Sequence, residues 1–295
     1  MTDSVRTPDE RFADLPGFPW EPHYLDWDGI RLARIDEGEG PTVVLFHGEP
    51  TWSFLWRKVM PPLLEAGHRC IAPDMPGFGR SDKPTDLGWH SYDRQVEAAA
   101  WVLERLDVTG ATFVVHDWGG PIGLRVAAEH PERCARLVVM DTGIFDGRQR
   151  MSDAWITFRD FVERTEDLPI SMLVRGACAT DPGDAVAAAY DAPFPTPASK
   201  AGARALPLML PTDRDAPGAE AGARAAAAIA AREIPSLCLW ADGDPIIPSA
   251  VGRKLADRLG LTAPQEIAGA SHFLQEDQGA EIGRRIAAWL AGPAD

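Results

Sequence analysis

The stretch Thr112-Phe-Val-Val-His-Asp-Trp-Gly-Gly120 decides the fold of this chain. Its first residues are apolar or β-branched and predict a buried strand, and the glycine pair after Trp118 opens a helix from Pro121 to about Glu129. A sharp turn from a buried strand into a helix lifts one side chain out of the sheet. The lifted side chain is the carboxylate of Asp117, so we expect an aspartate nucleophile at this turn.

Strands and helices alternate on both sides of this turn. Upstream, the short apolar runs Thr42 to Phe46 and Arg69 to Ala72 predict strands, and downstream Arg136 to Met140 and Ser236 to Trp240 repeat the pattern. Amphipathic helical patterns separate these strands, which predicts an α/β fold with a mostly parallel, doubly wound sheet. They include a helix over Phe54 to Leu64, a helix with Ser91 as its N-cap that ends at about Leu106, and a last helix from about Ala280 to Leu290. Two N-terminal runs joined at Asp28-Gly29 predict an antiparallel hairpin.

Residues 144–233 interrupt the alternation. They contain no convincing strand and are framed by two helical stretches, Asp153 to Glu163 and Ala219 to Arg232. Because the segment also carries many apolar and aromatic side chains, a packed helical cap is favoured over a disordered insert. We therefore predict a core domain made of residues 1–143 and 234–295, with residues 144–233 inserted as a helical cap.

The composition excludes several classes of partner. Asp and Glu outnumber Lys and Arg by 44 to 29, and the formal net charge is -15. This excess repels phosphate backbones and anionic lipids, so we expect no nucleic-acid or membrane partner. Residues 1–17 lack the apolar core of a signal peptide, and the 4 cysteines form no C-x-x-C pair, which fits a reducing compartment. We therefore predict a cytoplasmic protein.

Three side chains with catalytic chemistry follow the ends of predicted strands: Asp117, Asp244 and His272. In an open α/β sheet the carboxyl ends of the strands form the ligand crevice. The order nucleophile, acid, histidine along the chain is that of the α/β hydrolases. Each residue alone has an ordinary structural explanation, but their joint order and placement predict a catalytic triad.

The carboxylate nucleophile indicates which reaction the triad performs. A serine that attacked an sp³ carbon would form an ether, which water does not cleave. An aspartate that attacks such a carbon forms an alkyl ester, whose carbonyl carbon water can attack. Asp117 therefore predicts displacement of a leaving group, a halide or an epoxide oxygen, followed by hydrolysis of the ester.

Two motifs carry a resemblance to a known family. The chain contains His47-Gly-Glu-Pro-Thr-Trp52 and His116-Asp-Trp-Gly-Gly120, and it resembles the branch of haloalkane dehalogenases that has both. The loop from Asp74 to Ser81 and the segment from Ala188 to Pro195 also match, and the similarity extends over about residues 20–290. The resemblance implies an α/β-hydrolase fold with an inserted helical cap. It also implies that haloalkanes are hydrolysed to a primary alcohol and a halide through a covalent alkyl-aspartate.

The resemblance assigns a role to each matching residue. Asp117 is the nucleophile, His272 is the base that activates water, and Asp244 orients His272. The backbone N–H groups of Glu49 and Trp118 form the oxyanion hole, and the Glu49 side chain helps to position the water. The indole N–H of Trp118 donates to the departing halide.

Two positions leave alternatives open. This branch usually has a second halide-binding tryptophan on the first cap helix, where the chain has Phe158. Trp155 lies three residues earlier, on nearly the same helix face, and is the alternative donor. Another branch places the acid after the preceding core strand, where this chain has Asp141, although Asp244 is preferred.

The expected ligands follow from the same reasoning. The resemblance implies no metal and no organic cofactor, and its partners are a small apolar halogenated substrate and a halide ion. The protein would be a monomer or a small homo-oligomer. An epoxide hydrolase is the main alternative, but such enzymes use two cap tyrosines, and only Tyr190 of the three tyrosines falls in the cap. A catalytically inactive hydrolase-fold binding protein is the other alternative.

Overall fold

The computed structural model describes residues 2–292. Met1 and residues 293–295, the outermost residues of the predicted core domain, lie outside the described residues. The strands are β1 (Ser4–Val5), β2 (His23–Trp27), β3 (Ile30–Glu37), β4 (Thr42–Phe46), β5 (Arg69–Pro73), β6 (Lys83–Pro84), β7 (Ala111–Asp117), β8 (Cys134–Thr142), β9 (Ser236–Ala241) and β10 (Gln265–Ile267).

The α-helices are α1 (Met60–Glu65), α2 (Tyr92–Arg105), α3 (Gly119–Glu129), α4 (Asp153–Arg164), α5 (Ile170–Gly176), α6 (Asp184–Asp191), α7 (Ala201–Met209), α8 (Ala219–Ala230), α9 (Ser249–Leu259) and α10 (Leu274–Leu290). Short 3-10 helices span Asp9–Phe12, Ser53–Lys58, Leu87–Trp89, Pro131–Arg133 and Pro197–Lys200. No helix of the described part of the chain is long and apolar enough to cross a membrane.

Eight of the described strands form one sheet in the order β10-β9-β8-β7-β4-β5-β3-β2. The pairs from β10 through to β5 are parallel, while β3 pairs with β5 and β2 in antiparallel orientation. This confirms the predicted α/β fold and its mostly parallel sheet. The strand that leads to Asp117, β7, lies between β4 and β8 with Phe113 opposite Val44 and Leu137, and all three side chains are fully buried.

Most of the predicted strands and helices are confirmed. A hairpin turn and a helix cap show how local residues fix their ends. The hairpin of β2 and β3 turns at Asp28 and Gly29, both with positive φ. The helix α2 begins where the hydroxyl of Ser91 accepts a hydrogen bond from the backbone N–H of Arg94, which satisfies an otherwise unpaired donor of the first turn.

Three departures from the predicted elements have local causes. The helix predicted over residues 54–64 is divided into a 3-10 turn and α1, whose first turn contains Pro61 and Pro62. The last helix begins at Leu274, earlier than the predicted Ala280, and has a break at Gln278. The helices α5, α6 and α7 were not predicted because they are short, and α7 contains Pro207.

All helices from α4 to α8 lie between β8 and β9 in the chain, within the predicted cap. α4 packs against α7, and α5 packs against α6. α8 instead packs against α3 and α9, which belong to the layers beside the sheet. The segment therefore has an outer group of helices, α4 to α7, and one helix that joins it to the rest of the chain.

Candidate active site

The turn after β7 holds Asp117 at the carboxyl edge of the sheet. Asp117 has φ 48°, an unfavourable conformation for a residue with a side chain, and α3 begins two residues later. A Cβ atom at Gly119 would collide with the backbone carbonyl of Phe46, and one at Gly48 would collide with the Asp117 carboxylate. Only glycine fits at these two positions, so the chain can make the tight turn the sequence predicts.

Backbone donors hold the Asp117 carboxylate. The N–H of Glu49 donates to Asp117 Oδ1 over 2.7 Å, and the backbone N–H of Trp118 also hydrogen-bonds the carboxylate. Burial alone would raise the pKa of Asp117, but its hydrogen bonds and the nearby His272 lower it below the ordinary value. Asp117 is therefore ionised at neutral pH, as a nucleophile must be.

His272 lies between two carboxylates. Its Nδ1 is 2.8 Å from Oδ2 of Asp244, and its Nε2 is 3.5 Å from Oδ2 of Asp117. Burial alone would lower the pKa of His272, but the two carboxylates raise it well above the ordinary value. His272 is therefore protonated while both carboxylates are charged.

Asp244 is held as an anion by its own loop. Its Oδ1 accepts hydrogen bonds from the backbone N–H groups of Ile246 and Ile247, over 2.7 and 3.0 Å. Burial opposes ionisation, but the charge and hydrogen bond of His272 and these backbone donors lower the pKa of Asp244 to about 2. The carboxylate can therefore both orient the imidazole and stabilise its charged form.

Asp141, the alternative acid, ends β8 beside Asp244 but has a different environment. It is fully buried, and its carboxyl oxygens accept from the backbone N–H of Ala241 over 3.1 and 3.3 Å. Burial and the adjacent charge of Asp244 raise the pKa of Asp141 well above the ordinary value. The pair therefore contains one neutral and one charged carboxyl group, and Asp244 is the one at Nδ1 of His272.

The Glu49 side chain is buried beside Asp117. Its Oε1 is enclosed and has no hydrogen-bond partner among the described residues. Burial, together with the negative charge of Asp117, raises the pKa of Glu49 well above the ordinary value. These effects favour the neutral carboxylic acid form of Glu49, which has an O–H to donate.

Two indole groups line the cavity in front of Asp117. Those of Trp118 and Trp155 donate to no side chain or carbonyl within residues 2–292, whereas the indoles of Trp52 and Trp240 donate to backbone carbonyls. A buried tryptophan usually satisfies its N–H. The two unpaired N–H groups are therefore available to a ligand in the cavity.

The cavity has a volume of about 380 Å³ and separates the ends of the strands from α4, α5 and α7. Asp117, Glu49 and His272 are on the sheet side. The apolar side chains on its wall include Ile144, Phe145, Met151, Phe158, Leu173 and Ile247. Such a wall suits an alkyl chain and excludes water from the carboxylate.

The hydroxyl groups of Tyr190 and Tyr92 form hydrogen bonds within the protein. The hydroxyl of Tyr190 donates to Glu276, which forms a buried ion pair with Arg57, and the hydroxyl of Tyr92 donates to the carbonyl of Pro121. Of the tyrosines in the described part of the chain, none lines the cavity. The arrangement by which two cap tyrosines would activate an epoxide is thus not formed.

Sequence reasoning missed the position of His116. Its Nε2 is 2.8 Å from the backbone carbonyl of His272, and burial lowers the pKa of His116 to about 4, so the neutral ring donates to that carbonyl. The bond joins the nucleophile turn to the loop that carries the base. The only sequence signal was the position of His116 directly before Asp117.

No grouping of three or more His, Cys, Asp or Glu side chains suited to a metal ion occurs in residues 2–292. The carboxyl groups of Asp117 and Asp244 instead bond to backbone N–H groups and lie beside His272.

The sequence and the structure are similar to those of known proteins over nearly the whole chain. A family model described as alpha/beta hydrolase fold matches residues 41–278. A haloalkane dehalogenase from Mycobacterium marinum is 43% identical, with 97% of this chain and 99% of that protein covered. A haloalkane dehalogenase from Psychrobacter cryohalolentis is 37% identical, with 97% of each covered.

The solved structures agree with this result. The haloalkane dehalogenase DpaA from Paraglaciecola agarilytica, described as tetrameric, has a TM-score of 0.89 and 36% identity, with 96% of this chain and 97% of that chain covered. DbeA from Bradyrhizobium elkani, also a haloalkane dehalogenase, has a TM-score of 0.79 and 28% identity, with 92% of this chain and 98% of that chain covered.

Proposed function

This chain belongs to the haloalkane dehalogenases of the α/β-hydrolase fold, and we propose that Asp117, His272 and Asp244 carry out its hydrolysis of carbon–halogen bonds. The observation that supports this most is an ionised aspartate at the nucleophile turn with a histidine Nε2 at 3.5 Å. The substrate is a haloalkane, and the products are an alcohol and a halide ion. Its alkyl part lies against the apolar wall of the cavity.

In the first step Asp117 displaces the halide. Its Oδ1 is held by the N–H of Glu49, which leaves Oδ2 to attack the carbon that carries the halogen. A carbon–oxygen bond forms, the carbon–halogen bond breaks, and the halide leaves with the bonding electron pair. The indole N–H of Trp118 donates to the halide as its charge develops, which lowers the barrier.

In the second step His272 activates water. Formation of the ester removes the charge of Asp117, one of the two carboxylates that keep His272 protonated. The pKa of His272 then falls, the proton is released, and the neutral imidazole can accept a proton from water. The oxygen of the resulting hydroxide bonds to the ester carbonyl carbon, and the N–H groups of Glu49 and Trp118 stabilise the oxyanion. The bond between the carbonyl carbon and the alkyl oxygen then breaks, and the alcohol leaves with the proton that His272 took from water. The remaining proton of the new Asp117 carboxyl group returns to His272, which regenerates the charged carboxylate. The Glu49 carboxyl group helps to hold the water.

Residues 144–233 form the cap in this proposal, with α8 as its connection to the core. The cysteines of the described chain form no disulfide bonds, which fits a cytoplasmic enzyme. In this proposal the enzyme is a monomer or a small homo-oligomer.

A single turnover in oxygen-18 water tests the proposed mechanism. Because water attacks the carbonyl carbon, the first alcohol released should carry the unlabelled oxygen of Asp117, and the label should enter the Asp117 carboxylate. The measurement is mass spectrometry of the product and of the peptide that contains Asp117, with a bromoalkane as substrate and an epoxide as a control. Label found directly in the first alcohol would rule out the alkyl-aspartate.

The exchange Trp155→Phe tests the second halide donor. Trp155 lies 8% exposed on the cavity wall with an unpaired N–H, and a hydrogen bond to a charged group contributes about 1.5 kcal/mol or more. We expect the inhibition constant of bromide to rise about tenfold, measured as product inhibition of turnover. Trp101→Phe, on α2 and away from the cavity, is the control, and an unchanged inhibition constant in Trp155→Phe would exclude Trp155 as a donor.

A further inference from the structure

The mouth of the cavity has the opposite charge to the protein as a whole. Four exposed basic residues line it, namely Arg148, Arg150, Lys254 and Arg258, and we call this set the cationic rim. The acidic residues that line the same cavity, Glu49 and Asp117, are at its inner end. The chain has a net charge of -15, so four basic side chains around one cavity are not what its average composition predicts.

Part of the cationic rim is held in place by a buried aspartate. Asp146 is 6% exposed and accepts hydrogen bonds from the backbone N–H of Arg148 over 3.1 Å and from the Arg258 guanidinium over 2.9 Å. Arg258 also donates to the carbonyl of Ile144 over 3.3 Å. These bonds join the loop after β8 to α9, so the rim has a defined shape.

The other two cations of the rim have no protein partner. Neither Arg150 nor Lys254 donates to an acceptor in the part of the chain that the structure describes. The other three lysines do so: Lys58 binds Glu276, Lys83 binds the carbonyls of Gly79 and Ser81, and Lys200 binds Asp167. Two uncompensated charges therefore remain at the entrance.

We infer that the cationic rim binds the terminal carboxylate of an ω-halocarboxylate while its carbon–halogen bond reaches Asp117. The methylene chain between the two ends lies along apolar residues such as Phe145, Met151 and Ile247. Arg150 and Lys254 supply the charges that the carboxylate needs. The inference of this substrate class rests on the proposed function, because it assumes that Asp117 displaces the halide as it does from a haloalkane.

The reaction balances as for a haloalkane. Asp117 displaces the terminal halide, water cleaves the ester, and the products are an ω-hydroxycarboxylate, a halide ion and a proton. A substrate with the halogen next to its carboxylate is not favoured, because it would need a cation beside the nucleophile, where the chain has Trp118. The basic residues of the rim are exposed and none adjoins Asp117 in the sequence, which favours a halogen remote from the carboxylate.

The test compares two substrates that differ only in charge, ω-bromohexanoate and ω-bromohexanamide. We expect a higher kcat/KM for the carboxylate at low ionic strength. The difference should shrink when sodium sulfate is added, because the Debye length falls from about 10 Å at 0.1 M to about 3 Å at 1 M. A preference that does not change with salt would mean that charge is not its cause.

Substitutions in the rim identify the groups responsible. An exposed ion pair contributes about 0.2–1 kcal/mol, so Arg150→Gln and Lys254→Gln should each lower kcat/KM for the carboxylate roughly two- to fivefold, and the pair together about tenfold. The amide should be unaffected. Arg253→Gln is the matched control, because Arg253 precedes Lys254 on α9, carries the same charge and does not line the cavity.

The outcomes separate this inference from the proposed function. Equal effects of the rim substitutions on the carboxylate and the amide, or an equal effect of Arg253→Gln, would overturn the inference. If bromohexane and both charged and neutral derivatives release no bromide, the proposed reaction itself is wrong. Efficient turnover of bromohexane without turnover of the carboxylate overturns only the inference.

Discussion

Replacement of His272 by glutamine should let each enzyme molecule release one halide and then stall as the alkyl ester of Asp117. The attack on carbon uses only the Asp117 carboxylate and does not need a base, whereas the attack of water on the ester does. Loss of a general base typically slows a step by a factor of about 10² to 10⁴. The steady-state rate should therefore fall by that factor, while the first release of halide remains measurable.

Two measurements check this result. The amount of bromide released in the first turnover should equal the amount of active enzyme, and mass spectrometry should find the alkyl group on the peptide that contains Asp117. His68→Gln is a suitable control, because His68 is half-buried and does not line the cavity. Sustained turnover by His272→Gln would remove His272 from the role of base.

Replacement of Asp244 by asparagine should lower kcat on the order of 10⁴-fold, the scale expected when the aspartate that orients a catalytic histidine loses its charge. Asp244 is ionised, with a pKa of about 2, and its Oδ2 is 2.8 Å from Nδ1 of His272. An amide at this position keeps the shape but not the charge that stabilises the imidazolium.

Asp141→Asn is the matched variant for this experiment. Asp141 is buried beside Asp244, and its raised pKa keeps it neutral at pH 7, so an amide has nearly the same shape and the same charge. The protonated carboxyl group of Asp141 and the amide group of the variant can both donate a hydrogen bond to Asp244. We expect kcat to change by less than about tenfold. If Asp141→Asn abolished turnover and Asp244→Asn did not, Asp141 would be the acid of the triad.

In the proposed mechanism, the geometry around His272 keeps the two steps from interfering. While Asp117 is free and charged, His272 is protonated and cannot activate water. Once Asp117 is esterified, the same histidine loses a stabilising charge and becomes a base. The loss of charge on Asp117 would therefore prepare the second step.

Part of the fold and of the candidate site could be predicted from local sequence patterns. Strand β7 and the turn at Asp117 were predicted from a run of apolar residues and two glycines, because a buried strand and a tight turn each depend on neighbouring residues. The mostly parallel sheet and the helices beside it were predicted from the alternation of elements, whereas the order of the strands in the sheet was not. The helices α5 to α7 were not predicted, since they are short and are stabilised by packing against one another and against α4.

The sequence by itself determined the α/β fold and the position of Asp117 at its turn, because these depend on residues close together in the chain. The order of Asp117, Asp244 and His272 is read directly from the sequence. Only the tertiary structure decided that Asp244 rather than Asp141 faces Nδ1 of His272, since both follow neighbouring strands. It also decided that Arg150 and Lys254, 104 positions apart by their numbering, line the same cavity. Contacts between distant residues depend on how the helices pack on the sheet, and no local pattern encodes that packing.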